Sequence, residues 1–237
     1  MERFTVRDVE RFAFLTQDPN PIHYAASTPR PVVPGLQQVV ALYEPPCSSF
    51  RVKFLKMLCA LDPLHVEHDD GGRYILKKIV DPESGTKVYS EVRLYPRSNN
   101  LKPPQTQDAT FSPFTLDADM VGALHEATKQ KLQVSLEMMA LLFSSSVLVK
   151  VFKELAQKPD YELFGAAELV YGTLEGHLAE GTLQLEEPFE IGVTGVRSLT
   201  PKKSLGRAFK FEVLGRTMRG DPLFVYSPLV FALLQSE

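Results

Sequence analysis

An acid and an imidazole stand at the two ends of one short segment, Asp18-Pro19-Asn20-Pro21-Ile22-His23. A carboxylate and a histidine held close together can take a proton from one atom and return one to another, which is general acid/base chemistry. Pro19 and Pro21 each fix a φ angle, and clash with the proline ring drives Asp18 and Asn20 out of the α region, so the segment is stiff. The same residues equally describe an ordinary turn, because Asp and Asn before proline initiate turns and a lone histidine after one is commonly just hydrogen-bonded. Downstream, Pro31-Val32-Val33-Pro34-Gly35-Leu36 brings a glycine to the start of an apolar run. A helix beginning there offers an unpaired backbone N–H with partial positive charge, a donor suited to developing negative charge; alternatively Gly35 serves only the turn into the helix.

The surrounding pattern supplies elements to position these groups. Val9, Phe12, Ala13 and Thr16 recur at helical spacing, with Arg7, Asp8, Glu10 and Arg11 for the wet side, so a short amphipathic helix over 6–16 is expected, ended by Asp18-Pro19. Leu36, Val39, Val40, Leu42 and Tyr43 give a second helix that starts at Gly35 and is closed by Pro45-Pro46. Strand-like runs follow at 50–58, 64–68, 73–80 and 87–95, separated by turn residues, and helix followed by strand meander is an α+β pattern.

From Pro96 to Pro113 the chain is polar and proline-rich, and a linker at 98–113 divides a first half, 1–97, from a second, 114–237. Phe114-Thr115-Leu116-Asp117-Ala118-Asp119 echoes Phe4-Thr5-Val6-Arg7-Asp8-Val9, a sign of internal duplication. The order of elements repeats: a short helix near 117–128, a long apolar helix from about 132 to 155, then strands near 163–172, 174–179, 182–185, 189–199, 207–217 and 223–233. Where the second copy of the hexapeptide would fall, Thr128-Lys129-Gln130-Lys131-Leu132-Gln133 has no carboxylate, proline or imidazole, so one half is expected to carry chemistry and the other to shape the pocket.

The string Phe12-Ala13-Phe14-Leu15-Thr16-Gln17-Asp18-Pro19-Asn20-Pro21-Ile22-His23, followed by Arg30-Pro31-Val32-Val33-Pro34-Gly35-Leu36, resembles the hydratase signature of MaoC-like dehydratases and type 2, R-specific enoyl-CoA hydratases. This resemblance implies an α+β double hot-dog fold, with two central helices each wrapped by a curved antiparallel sheet. It also implies hydration of 2-enoyl thioesters or dehydration of 3-hydroxyacyl thioesters, carried by CoA or acyl-carrier protein. Asp18 and His23 would be the acid/base pair, Asn20 would orient the water or brace the loop, and the Gly35 amide would donate to the thioester oxygen. The degenerate half would make room for the acyl chain. Gln17 stands where the family usually has glycine, and the interval from His23 to Gly35 is shorter than is common, so loop geometry and chain-length selection are expected to differ. A non-catalytic acyl-thioester binding or partner subunit, and a hot-dog thioesterase, are the competing readings.

Composition excludes several other classes. Over 237 residues, 44% hydrophobic and 23% charged, a net charge of −3 with no long basic block argues against nucleic acid as a partner. Cys47 and Cys59, the only cysteines, are too few for a disulfide framework, and with no signal region at the start the expected location is the cytoplasm. The apolar stretch 132–152 is broken by Gln133, Ser135, Glu137, three serines and Lys150, which favours a buried helix over a membrane span. Neither a metal nor a cofactor is expected: His65 and His68 fall on opposite faces of a strand, His125 and His177 lack matching spacing, and no phosphate loop, dinucleotide fingerprint or nucleophile elbow occurs. Cations for a carrier's phosphates could come from Arg51, Lys53 and Lys56, from Arg73, Lys77 and Lys78, or from Lys202 and Lys203. Monomer and homodimer are both compatible with the sequence.

Overall fold

A computed structural model describes residues 3–84, 87–96, 109–129, 134–155, 157, 167–179, 181–199 and 207–234. Helix α1, Val6–Leu15, starts at a capping box in which the Thr5 hydroxyl accepts from the Asp8 amide and the Asp8 carboxylate accepts from the Thr5 amide. It buries Val9, Phe12 and Ala13, the face expected from their spacing. A single 3₁₀ turn, Pro21–His23, precedes α2, Gly35–Leu42, in which every residue but Ala41 is buried. Strands β1 (Cys47–Phe54), β2 (His65–Asp70), β3 (Ile75–Val80) and β4 (Val88–Pro96) complete the first half.

In the second half β5, Phe111–Phe114, comes first, followed by α3 (Ala118–Thr128), α4 (Leu136–Leu141), α5 (Ser144–Leu155) and strands β6 (Ala167–Leu178), β7 (Phe189–Leu199), β8 (Arg207–Thr217) and β9 (Pro222–Leu234). The nine strands among the described residues form one antiparallel sheet in the order β2-β3-β4-β1-β6-β9-β8-β7-β5. The two halves meet where β1 pairs with β6, with Phe50 opposite Gly176. A side chain at 176 would collide there, since an added Cβ would lie 2.2 Å from the Phe50 ring. On the helical side α1 packs on α3. Arg11 bonds Glu126 at 2.6 Å, Lys129 bonds Asp8 at 2.9 Å, and the buried Gln37 amide donates to the carbonyls of Asp8 and Ala127, so α1, α2 and α3 are laced together. One hydrophobic core runs through both halves.

Several local expectations are corrected. The long helix expected over 132–155 is two helices, because Leu142 and Phe143 close with tight bonds to the carbonyls three residues back. Ser146 also returns its hydroxyl to the Phe143 carbonyl at 2.8 Å, a local competitor to helix propagation. The break is anchored by Phe143, whose ring meets Phe114 at 5.3 Å and Phe189 at 6.4 Å. Residues 111–113, expected within the linker, belong to the edge strand β5, where Pro113 is tolerated because only β7 lies beside it. The two strands expected over 163–179 are one strand with a bulge between Tyr171 and Thr173, and 182–185 forms a turn region. The echo of residue 4 near 114 is structural, although the helix caps Thr5 and Asp117 show the matching elements slightly further apart than the letters do. Most of 128–133 lies outside the described residues.

Candidate active site

The end of α1 delivers Asp18. The Gln17 amide donates to Phe14 O at 3.1 Å and the Asp18 amide to Ala13 O at 2.8 Å, the paired closing bonds of a Schellman motif. That motif needs a left-handed residue between helix and exit, and Gln17 fills the place with φ 55°. The glycine normally seen there therefore has a conformational reason, and Gln17, whose side chain points to solvent, is not on the wall of the site. One Asp18 oxygen then accepts from the Asn20 amide at 3.0 Å, and Asn20 caps the 3₁₀ turn by accepting from the Ile22 amide at 3.4 Å. The Tyr24 hydroxyl donates to the Asp18 carbonyl at 2.8 Å.

The turn brings His23 back to face Asp18. Val32 pins it twice, its amide donating to the Ile22 carbonyl at 2.8 Å and its carbonyl lying 2.6 Å from His23 Nδ1. A carbonyl can only accept, so Nδ1 carries a proton and a neutral imidazole presents a bare Nε2. That Nε2 lies 3.6 Å from the free oxygen of Asp18, too far for a direct hydrogen bond and suited to a third group that bonds both. Asp18 and His23 are only 4% and 5% exposed.

Both open onto a cavity of about 440 Å³, whose wall also includes Asn20 and Gly35. All four residues singled out in the sequence are therefore in one place. Gly35 is the first residue of α2, and its amide has no acceptor in the protein among the described residues. Space dictates the glycine: an added Cβ would sit 2.9 Å from Phe54 and 3.1 Å from Tyr171. The rest of the wall is mainly apolar, Ile22, Val33, Leu58, Leu148, Phe152 and Phe231 among it, and much of it comes from the second half. Of the expected cations only Lys56 reaches the cavity, beside the exposed Leu55 and Met57; Arg51 pairs with Glu175 and Lys77 with Glu44, while Lys202 and Lys203 lie outside the described residues.

Sequence reasoning missed three polar residues in this wall: Gln38 on α2, Ser145 on α5 and Tyr171 on β6. Gly172 is the extra residue of the β6 bulge, which lets Val170, Tyr171 and Gly172 all line the cavity instead of alternating. A glycine inside a strand pattern was the available signal. Burial and then the negative charge of Asp18 push the Tyr171 phenol up to about 12, so it is a neutral donor at ordinary pH, and its oxygen lies 3.3 Å from Ser145 Oγ. The other histidines stand apart: His125 ends α3, its pKa lowered by burial, and His177 sits in the β1–β6 seam. No group of three metal-ligating side chains converges among the described residues. No helix among them is long and apolar enough to cross a membrane.

No protein-family model matches the sequence, and no curated protein does. Among solved structures the chain is similar to a MaoC-like dehydratase, at 11% identity and a TM-score of 0.59, with 98% of this chain and 95% of that one covered. It is also similar to the full-length peroxisomal multifunctional enzyme type 2 from Drosophila melanogaster, at 10% identity and a TM-score of 0.52. That match covers 97% of this chain and 47% of the other, so the chain spans about half the length of that enzyme. At such identities the likeness shows the fold, an α+β double hot dog whose two halves share one sheet.

Proposed function

We propose that the protein adds water across the double bond of 2-enoyl thioesters, or removes it from 3-hydroxyacyl thioesters, with Asp18 and His23 as the acid/base pair. The observation that carries this reading is the buried 3.6 Å separation of His23 Nε2 and Asp18 at the wall of a largely apolar cavity that Gly35 also lines. In hydration, a water held between the two groups gives a proton to the pair as its oxygen bonds the β-carbon. The π electrons move toward the thioester carbonyl, where the Gly35 amide stabilises the enolate oxygen. The proton held by the pair then passes to the α-carbon, so the pair ends as it began and atoms balance. Dehydration is the reverse. A donor of the Gly35 type is worth about 3 kcal/mol of barrier, and an acid/base group about two to four powers of ten. Asn20 braces the loop through its cap of Ile22. No cofactor is needed, and the carrier, CoA or acyl-carrier protein, would leave past Lys56.

The test follows loss of the conjugated enoyl-thioester absorbance with short and medium 2-enoyl-CoA, comparing wild type with Asp18→Asn and His23→Gln. Turnover that falls about 10²- to 10⁴-fold in each variant, with folding intact, is expected. Binding without turnover would instead make the chain an acyl-thioester binding subunit, and release of free thiol would make it a thioesterase. Activity that survives both substitutions would remove the pair from the mechanism.

A further inference from the structure

Leu55 and Met57 are 51% and 56% exposed, they flank the exposed Lys56, and all three line the cavity, so they form its outer rim. The rim is held in place. The Leu55 and Lys56 amides both donate to the Tyr89 carbonyl, at 2.8 and 3.1 Å, and the Leu58 carbonyl accepts from the Val33 amide at 2.8 Å. Single exposed leucines are ordinary, but two large apolar side chains on a pinned segment at a cavity mouth make a small patch of the kind that another molecule covers. Among the described residues no arginine and no other lysine lines the cavity. Arg51 is paired with Glu175 and Lys77 with Glu44, whereas Lys56 and the exposed Lys53, at the end of β1, have no carboxylate partner among the described residues.

A thioester drawn into the cavity leaves its carrier at this rim, so the chemistry of the rim selects the carrier. The phosphates of CoA call for clustered cations, arginines above all, and one lysine between two apolar side chains is a poor match for them. An acidic protein surface with apolar side chains among its carboxylates matches in both respects, covering Leu55 and Met57 and setting negative charge beside Lys53 and Lys56. Resting on the acyl-thioester reading, we infer that Leu55, Lys56 and Met57 form a docking surface for an acidic acyl-carrier protein, which passes the acyl group over the rim on its pantetheine arm while its own body stays outside.

Steady-state hydration of one crotonyl group presented on acyl-carrier protein, on CoA and on N-acetylcysteamine tests this. The last has neither protein nor phosphates, so it reads the acyl-thioester chemistry alone. Wild type is expected to show kcat/KM about tenfold or more higher with the carrier-protein thioester than with the CoA thioester. Lys56→Glu is expected to lower the ratio of carrier-protein to N-acetylcysteamine kcat/KM about tenfold, through KM rather than kcat, and Leu55→Ser to lower the same ratio by removing apolar contact. Both side chains are exposed, so neither substitution disturbs the core. A CoA thioester used as well as the carrier-protein thioester would overturn the inference and leave the acyl-thioester reading standing. So would a ratio that neither substitution moves. Absence of turnover with all three thioesters would overturn both.

Discussion

Replacing Gln17 by glycine is expected to stabilise the protein and leave its chemistry alone. Gln17 holds φ 55° at the end of α1, a conformation that is unfavourable by about 1–2 kcal/mol for a residue with a Cβ. Glycine removes that strain but gives the unfolded chain more freedom, which takes back roughly 0.5–1 kcal/mol. The exposed glutamine side chain makes no contact with the cavity that would offset the balance. The net is a gain of about 0.5–1 kcal/mol, or roughly 1–4 °C in melting temperature for a chain of this size. Urea unfolding of wild type, Gln17→Gly and Gln17→Ala reads the effect directly. Alanine keeps the Cβ and is expected to bring no gain, which separates left-handed strain from loss of the side chain. A glycine variant no more stable than wild type, or an alanine variant that matches it, would refute the argument.

Other expectations follow from the same geometry. Gly35→Ala sets a Cβ 2.9 Å from Phe54, and since alanine also favours the helix by up to about 1 kcal/mol, stability should change by roughly 1 kcal/mol or less while kcat/KM falls about 100-fold as the amide is displaced; unchanged turnover would detach that amide from the reaction. Stability should fall as pH rises from 10 toward 12, because the unfolded Tyr171 phenol releases its proton from pH 10 upward while the folded one, at about 12, retains it; urea midpoints for Tyr171→Phe should show a shallower decline. Glu137 is buried and accepts from the Thr182 and Leu183 amides at 2.8 and 3.0 Å. Glu137→Ala orphans both donors, so a loss of about 2–4 kcal/mol in denaturant unfolding is expected.

Much of this was readable where local chemistry dictates local shape. Proline pairs set the loop from Asp18 to His23, periodicity set α1, and the placement of Gly35 at a helix start followed from the apolar run behind it. The gathering of Asp18, His23, Asn20 and Gly35 was expected only through the family resemblance, since no spacing rule brings residue 35 to residue 18. The long helix was misread because Leu142 and Phe143 are as apolar as their neighbours, and the tight turn depends on aromatic contacts with Phe114 and Phe189 that are distant in sequence. Gln38, Ser145 and Tyr171 were harder to read for a related reason, Gly172 inside a strand pattern being the local signal at hand. Each follows the pattern of its own element, and only the meeting of the two halves turns them toward one cavity.

Among the described residues the nine-stranded sheet ends in β2 at one side and β5 at the other, and neither invites another strand. β2 presents Glu67, Asp69 and Asp70 along an exposed ribbon, so a second copy laid beside it would set like charges against each other. At the opposite end β5 is four residues long and Pro113 lacks an N–H to donate. The seam that a single hot-dog unit would leave open is already sealed by β1 against β6. Pairing of another strand onto these two outer strands is thus opposed by charge at one rim and by proline at the other.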